Sequence, residues 1–414
     1  MKKIILITLA LCGTLLNASE ILDLDECVQL ALNNNLSLQK SKLALQQSEI
    51  LTDQAWSALY PNVSASASTS NSGPVVSEVA DEMNWNISGG INQSFYRPGM
   101  YTGISLANER LTASEYSNVS LQNQIRATVE KYYFQILALD TLVGVYHANI
   151  KLSEEQISKM EQLVDLGMRR ESDLLKARVQ RGTFESQLVR ERESLASSKR
   201  ALNNLMGREP HTEFNIQVLA IDDISIPDYQ TAMLAMIESN PDLQSLKSNV
   251  EQKKLSLTIA KEAYLPSLYG SYSYSRSNDP FGIDDYVESD RMSLNLSIDL
   301  FDGFNKSQNI QINQLNLIDA EVDYNASLKD LKENLLNQYN ALSTQNSLIE
   351  IHQTNLESAR KDLAVVSEQY ADGLSTVLDL TDAQVAVLES ETSLLTDKYT
   401  RKQIEAEILR LIGK

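Results

Sequence analysis

The side chains able to do covalent or acid–base chemistry are few and scattered. His147, His211 and His352 stand far apart in different contexts, and no His-Glu-x-x-His or other metal spacing joins them. The two cysteines, Cys12 and Cys27, have no paired ligand partner. Ser37-Leu38-Gln39-Lys40 fits the Ser-x-x-Lys pattern of acyl-transfer enzymes, but four residues on a helix carry little information without the companion motifs. No glycine-rich phosphate loop is present, so the sequence predicts no enzyme, metal or cofactor. What recurs instead is a group of carboxylates beside a glycine. Asp379 and Asp382 follow Gly373 in the stretch QYADGLSTVLDLTDAQ, Gln369 to Gln384, and three-residue spacing puts both on one helix face. A weaker copy runs from Leu163 to Arg178. Gly167, Asp173 and Ala177 there precede Gly373, Asp379 and Ala383 by a constant 206 positions.

Each stretch is a sharp reversal between two long amphipathic segments, with the glycine supplying the left-handed backbone that ends one helix and frees the next. The first segment is helical from about Thr102 to Leu166, on the order of 95 Å at 1.5 Å per residue. Ile150, Ile157, Met160 and Val164 form a heptad-like seam in it. The returning helix carries Leu188, Leu195 and Leu202 seven apart and closes at Met206-Gly207. Residues 208–227 read as an irregular linker bounded by Pro210 and Pro227. The pattern then starts again: Asn35, Ala55 and Pro61 match Asn240, Ala260 and Pro266 at an offset of 205, and from Phe95 and Phe301 onward the offset is 206. The chain is one unit written twice, 19–207 and 228–414.

Ahead of the long helices the period changes from 3.6 to 2. Residues 20–58 read as one helix ending at Tyr60-Pro61. Asn62 to Ser68 then alternates small apolar with polar residues. From Asn84 to Phe95, Trp85, Ile87, Ile91 and Phe95 oppose Asn84, Asn86, Ser88, Asn92 and Ser94. In the second unit Leu268, Tyr272 and Tyr274 alternate with Tyr269, Ser271, Ser273, Ser275 and Ser277. Met292, Leu294, Leu296, Ile298 and Leu300 alternate with Ser293, Asn295, Ser297 and Asp299. A half-buried sheet of a soluble core also alternates. Here, however, the polar face is small and uncharged, as suits a water-filled lumen with lipid outside, and about ten residues fit a tilted bilayer crossing. The apolar residues named from Trp85 to Phe95 and Met292 to Leu300 are therefore expected to face lipid. Four strands cannot close a barrel, because their edges would stay unpaired in lipid. Two chains give eight strands, three give twelve and four give sixteen, and strand count alone does not choose. Asn71 to Met83 and the acidic Asn278 to Asp290 would be the outside loops.

Composition agrees. The 414 residues are 43% hydrophobic and 22% charged, enough to bury a core, and the formal charge of −19 excludes a nucleic-acid surface or polybasic membrane anchor. Only 15 glycines and 8 prolines favour long helices over many short strands. Lys2, Lys3 and the apolar run Ile4 to Leu16, followed by Asn17-Ala18-Ser19, read as an export signal (1–18) cleaved after Ala18. Cys12 offers the alternative of a lipoprotein signal, which usually has a small residue where Leu11 stands. After cleavage at Ala18 only Cys27 remains, so no internal disulfide forms.

On these residues the chain resembles the TolC family of outer-membrane efflux and secretion ducts. The resemblance covers nearly the whole mature chain: LDLDECVQLALNNN at its start, Leu59-Tyr60-Pro61 and Leu265-Pro266 before the strands, Phe301-Asp302-Gly303-Phe304 after them, and the Gln369 to Gln384 tip. It implies a mainly α fold with a transmembrane β part. Tandem-duplicated coiled-coil helices would carry four strands per chain, and a homotrimer would form a twelve-stranded barrel on a helical periplasmic tunnel. It also implies an outer-membrane location with a long periplasmic extension, and docking to an inner-membrane pump, directly or through a periplasmic adaptor. Asp379 and Asp382 match aspartates that line the family's periplasmic constriction, six in a trimer. Tyr370 and Asp173 match a latch between neighbouring coiled coils. The arginine the family carries near the second tip is replaced by Ser375, with Arg169 and Arg170 on the other tip as candidate substitutes. Lys176 stands where Asp382 stands in the other repeat. Leu166, Gly167, Met168, Asp372, Gly373 and Leu374 resemble the turns that meet the adaptor. Two rivals remain on the residues alone. A soluble or lipid-tethered coiled-coil adaptor leaves the duplicated strands unexplained, and a self-contained porin needs at least eight strands in one chain.

Overall fold

The computed structural model describes residues 20–71, 83–217, 225–278 and 286–413. The signal segment with Cys12, most of both outside loops and part of the linker lie outside these residues. The described parts belong to two compact units, each contributed by three stretches of chain.

The first unit gathers the described part of Met1–Ser37 with Gln122–Pro227 and Leu336–Arg410. It opens with β1 (Glu20–Leu22) and α1 (Leu24–Asn34), whose start is sealed by a reciprocal pair. The Glu26 amide donates to the Asp23 carboxylate (2.7 Å), and the Asp23 amide donates to Glu26 (2.9 Å). Residues 20–58, expected as one helix, are broken at Asn35. Asn35 is extended (φ −61°, ψ 124°); its side chain accepts from the Ser37 amide (2.9 Å), which begins α2 (Leu36–Trp56), and donates to the Leu205 carbonyl (3.1 Å). The break thus satisfies backbone groups of two helix ends at once. The linker, expected to be irregular, holds β4 (Phe214–Ile216), which pairs in parallel with β1. Buried Phe214 anchors it, and its carbonyl accepts from Lys199 Nζ (3.0 Å). Three residues are too few for a period to be read, so this strand was hidden.

Four long helices dominate: α3 (Met100–Asp165), α4 (Glu171–Leu205), α7 (Asn305–Ala371) and α8 (Val377–Leu411), with α5 (Tyr229–Ser239) and α6 (Pro241–Glu262) repeating α1 and α2. The 66 residues of α3 span about 99 Å. Its seam is inward: Ile157 and Met160 are buried, as are Leu188 and Leu202 on α4. Tyr146, Phe184, Leu188 and Leu388 form one core cluster with partly buried Ile150. Where α4 ends, Gly207 (φ +67°) takes a conformation costly for other residues, and a β-carbon there would lie 2.7 Å from the Asn34 carbonyl oxygen. Gly207→Ala is expected to cost about 1–3 kcal/mol and lower the midpoint of the helical thermal melt. An unchanged midpoint would contradict this close approach.

The second unit, Leu38–Leu121 with Asp228–Leu335 and Leu411–Lys414, repeats the break at Asn240, with Pro241 opening α6. Asn240 accepts from the Leu243 amide (3.0 Å) and donates to the Leu411 carbonyl (2.9 Å). This unit also holds an antiparallel sheet, β2 (Asn62–Asn71), β3 (Met83–Tyr96), β5 (Ser267–Ser277) and β6 (Val287–Ser297), in the order β2-β3-β5-β6. Strands β2 and β6 are unpaired edges. The strands run further outward than expected: Asn71 pairs with Met83, and Glu288 and Asp290 lie within β6 rather than in a loop. At the other end the strand is shorter. Ile298 and Leu300 fall beyond β6, because β5 begins at Ser267, opposite Ser297, and offers them no partner.

The two faces separate as alternation requires. Ile87, Ile91, Phe95, Met292, Leu294 and Leu296 are all exposed on one face, Met292 at 88%, and Trp85 is half-buried there. On the other face hydroxyls pair across strands, Ser66 with Ser88 (2.8 Å) and Ser271 with Ser293 (2.7 Å). So large an apolar face without cover is not that of a domain surrounded by water. No helix among the described residues is long and apolar enough to cross a membrane.

Candidate functional site

Both helix tips belong to the first unit and share one geometry. Gly167 (φ +71°) ends α3: its amide donates to the Val164 carbonyl and the Met168 amide to that of Leu163, both at 2.8 Å. Gly373 (φ +77°) ends α7 identically, its amide donating to Tyr370 (3.1 Å) and the Leu374 amide to Gln369 (2.8 Å). These paired bonds form a Schellman cap, in which a glycine closes the last turn and reverses the chain. Beneath the turns Ile157, Met160, Leu174 and Val377 pack as a small buried core, with Val164, Ala177 and Tyr370 partly buried against it. The turns themselves project apolar groups into solvent: Leu166 is 73% exposed, Met168 69% and Leu374 79%. Leu175, Leu378 and Val179 extend this exposed apolar surface and were not singled out from sequence. Their helical positions, off the buried seam, were the available signal.

Asp379 and Asp382 are both exposed on the first turns of α8. Asp379 has a local role as well. Its carboxylate accepts from the Thr376 amide (2.7 Å) and hydroxyl (2.6 Å), while the Asp379 amide donates back to Thr376 Oγ1 (3.2 Å). This is a helix-starting cap. The Thr376 hydroxyl bond, then its amide bond, holds the Asp379 carboxyl below the ordinary aspartate value. A lowered value means that the cap stabilises the turn above the unfolded-state value, and that this contribution is lost as pH falls through the lowered one. Acidification is therefore expected to fray the first turn of α8, and Thr376→Val to fray it at neutral pH. Amide exchange at residues 377–380 measures both, and equal protection in the variant would refute the cap. Asp382, in contrast, makes no hydrogen bond or ion pair among the described residues.

The expected Tyr370–Asp173 latch is not formed within the chain. The Tyr370 hydroxyl is buried with no hydrogen-bond partner, and Asp173 is half-buried in the first turn of α4. Burial raises the phenol above its usual value, with Arg169 opposing and Asp173 adding to the shift. Arg169 has taken the tyrosine instead. Its guanidinium lies 4.6 Å from the Tyr370 ring centroid and donates to the Tyr370 carbonyl at 3.0 Å, which ties one tip to the other. Ser375 caps α7 locally, its hydroxyl donating to the Val366 carbonyl (3.3 Å). Arg170 and Lys176 are exposed and meet neither aspartate.

The histidines lie elsewhere. His147 contacts Arg192 (2.5 Å), and His352 Nδ1 contacts Asp397 (2.5 Å), whose other oxygen accepts from Gln345. Among the described residues no three metal-ligating side chains gather.

Comparison with known proteins joins these features. The family described as outer membrane efflux protein matches twice, over residues 27–208 and 235–414. Outer membrane protein TolC of Salmonella enteritidis is 21% identical over 97% of this chain and 84% of its own length. Alkaline protease secretion protein AprF of Pseudomonas aeruginosa is 22% identical over 74% of this chain and 63% of its own. A crystal structure of CusC superposes with a TM-score of 0.85 at 16% identity, covering 95% of this chain and 93% of that one. With both halves of the chain matched by one family and the fold shared with a channel, the chain belongs to the outer membrane efflux protein family, and its place is the outer membrane.

Proposed function

We propose that this chain is one third of a passive outer-membrane duct, serving efflux or secretion, that is gated at the Gly167 and Gly373 tips. The observation that carries the reading is the four-stranded sheet with one exposed apolar face and two free edges. Such a sheet is stable in lipid only when the β6 edge of one copy pairs with the β2 edge of the next until the ring closes. Three copies give twelve strands, the number the family resemblance implies. The hydroxyl-lined face then surrounds water, and the long helices belong to the periplasmic part. At the tips Asp379 and Asp382 would contribute six carboxylates to a constriction that favours cations. The exposed Leu166, Met168 and Leu374 suit docking to a periplasmic adaptor, which joins the duct to an inner-membrane pump that supplies the energy. The relatives' names span secretion and efflux, and the Ser/Asn lining favours no single cargo.

Conductance of the detergent-extracted protein in planar bilayers tests this. A small, cation-preferring conductance is expected. Arg169→Ala releases the tie between the tips and is expected to raise it about tenfold, the equilibrium factor of one lost charge-assisted hydrogen bond. No channel from a folded, membrane-extracted oligomer would return the adaptor reading, and a large conductance indifferent to Arg169 would remove the gate from the tips.

A further inference from the structure

The exposed apolar face of the sheet ends in charge. Register places Arg276, Tyr274, Glu288 and Asp290 on the same face as Leu294 and Leu296, with Arg276 opposite Glu288 on one side and Ile87 on the other, and Tyr274 opposite Asp290. The Arg276 guanidinium carbon lies 3.3 Å from the Tyr286 ring centroid. Its Nε stands 4.0 Å from Glu288 Oε1, outside hydrogen-bond reach, and has no acceptor. Stacking covers one face of the guanidinium and fixes its plane; Nε is buried, but the side chain is 42% exposed, which leaves the terminal N–H groups to meet oxygens.

The height of this cluster identifies its surroundings. On β3, Phe95 and Trp85 mark the two ends of the apolar face. Ten residues at about 3.4 Å and a tilt of about 40° correspond to roughly 26 Å, a depth that takes in the headgroup level of the aromatic girdle as well as the apolar band. The Asn278 amide donates to the Trp85 carbonyl, so Arg276, two residues earlier, lies about 5 Å to the membrane side of the Trp85 level. Along β6 the same face is apolar at Leu296, Leu294 and Met292 and charged from Asp290 outward, so these charges mark where the hydrocarbon ends, and the long Arg276 side chain reaches the headgroups from there.

We propose that Arg276, Glu288 and Asp290 form a binding site for a phosphorylated lipid headgroup of the outer leaflet together with a divalent cation. The proposal rests on the reading that the apolar face meets lipid. The Arg276 edge donates to phosphate oxygens in a bidentate manner. The two carboxylates would repel a bare phosphate, and hold the lipid by sharing the divalent ion with it. Met292 and Leu294, next along the same face, are exposed at 88% and 69% and receive the acyl chains, which selects a lipid over free phosphate.

The test uses the full chain extracted in mild detergent, incubated with a diphosphorylated acyl-glucosamine lipid and Mg²⁺, with lipid retention measured after gel filtration. Wild type is expected to retain the lipid stoichiometrically and to release it with a chelator or with the dephosphorylated analogue. Arg276→Gln should lower retention about five- to tenfold, the loss of one charge-assisted contact, with Arg276→Lys intermediate. Glu288→Gln with Asp290→Asn should abolish the chelator effect. A helical melt identical to wild type shows that each variant is folded. Equal retention of the phosphorylated and dephosphorylated lipids, or by Arg276→Gln and wild type, means annular lipid only and overturns the proposal. A chain that needs no detergent for extraction would instead overturn the barrel reading beneath it.

Discussion

Replacing Asp379 and Asp382 together by asparagine is expected to convert a cation-preferring channel into one with little ion preference. Both carboxylates are exposed at the start of α8, and in the proposed duct three copies would place six of them around the constriction. Two unit charges 4 Å apart interact by about 1 kcal/mol in bulk water and several times more where the passage excludes water. A ring of six therefore supports a cation-to-anion permeability ratio on the order of ten, which falls toward one in the double variant. Asparagine retains a side-chain oxygen for the Thr376 amide, so the turn that Asp379 caps survives the change. Asp382→Asn alone is the cleaner single change, because Asp382 has no such local role. Reversal potentials under a salt gradient measure the ratio. Near 1 M salt, where screening shortens to about 3 Å, wild type should approach the variant. An unchanged ratio at low salt would move the selectivity away from the tips.

Leu294→Arg is expected to remove the protein from the outer membrane, although Leu294 is 69% exposed in the single chain. In a water-soluble protein an arginine at such a position would be neutral or would improve solubility. On a lipid-facing strand within the apolar band it costs up to about 2–4 kcal/mol, and the ring repeats that cost in every copy. The native sequence supplies the control. Arg291 in β6 belongs to the hydroxyl face, one residue from Met292, whereas the apolar face carries no charge from Met292 to Leu296 and becomes charged only at its end, at Asp290 and Glu288. The expected result is a several-fold loss of oligomer from the outer-membrane fraction, with Ser293→Thr unaffected. Normal insertion of Leu294→Arg would mean that this face does not meet lipid.

Much of this was legible before any coordinates. The change of period at Asn62 and at Ser267 located the strands and their two faces, because alternation follows from backbone geometry. Gly167 and Gly373 located the reversals, because few other residues take positive φ at a helix end. What was missed depends on partners distant in sequence. Asn35 and Asn240 stand at matching positions, and at each the side chain donates to a carbonyl about 170 residues away, of Leu205 and Leu411; Pro241 adds a local signal at Asn240 that Asn35 lacks. The strand β4 exists because β1, nearly two hundred residues earlier, offers it an edge.

The tip separates the two kinds of information most clearly. The sequence by itself determined that two glycine reversals recur at a constant offset, that Asp379 and Asp382 share a helix face, and that Tyr370, Asp173 and Arg169 cluster around the turns. All of this follows from local backbone rules and from counting. Which of those side chains meet was decided only by the tertiary structure. Tyr370 is held by Arg169 rather than by Asp173, and its hydroxyl is left buried without a partner. Arg169 and Asp173 are four residues apart, and both lie within reach of the same ring. A hydrogen bond tolerates only a few tenths of an ångström, so the choice rests on how the buried core of Ile157, Met160, Leu174 and Val377 sets one turn against the other.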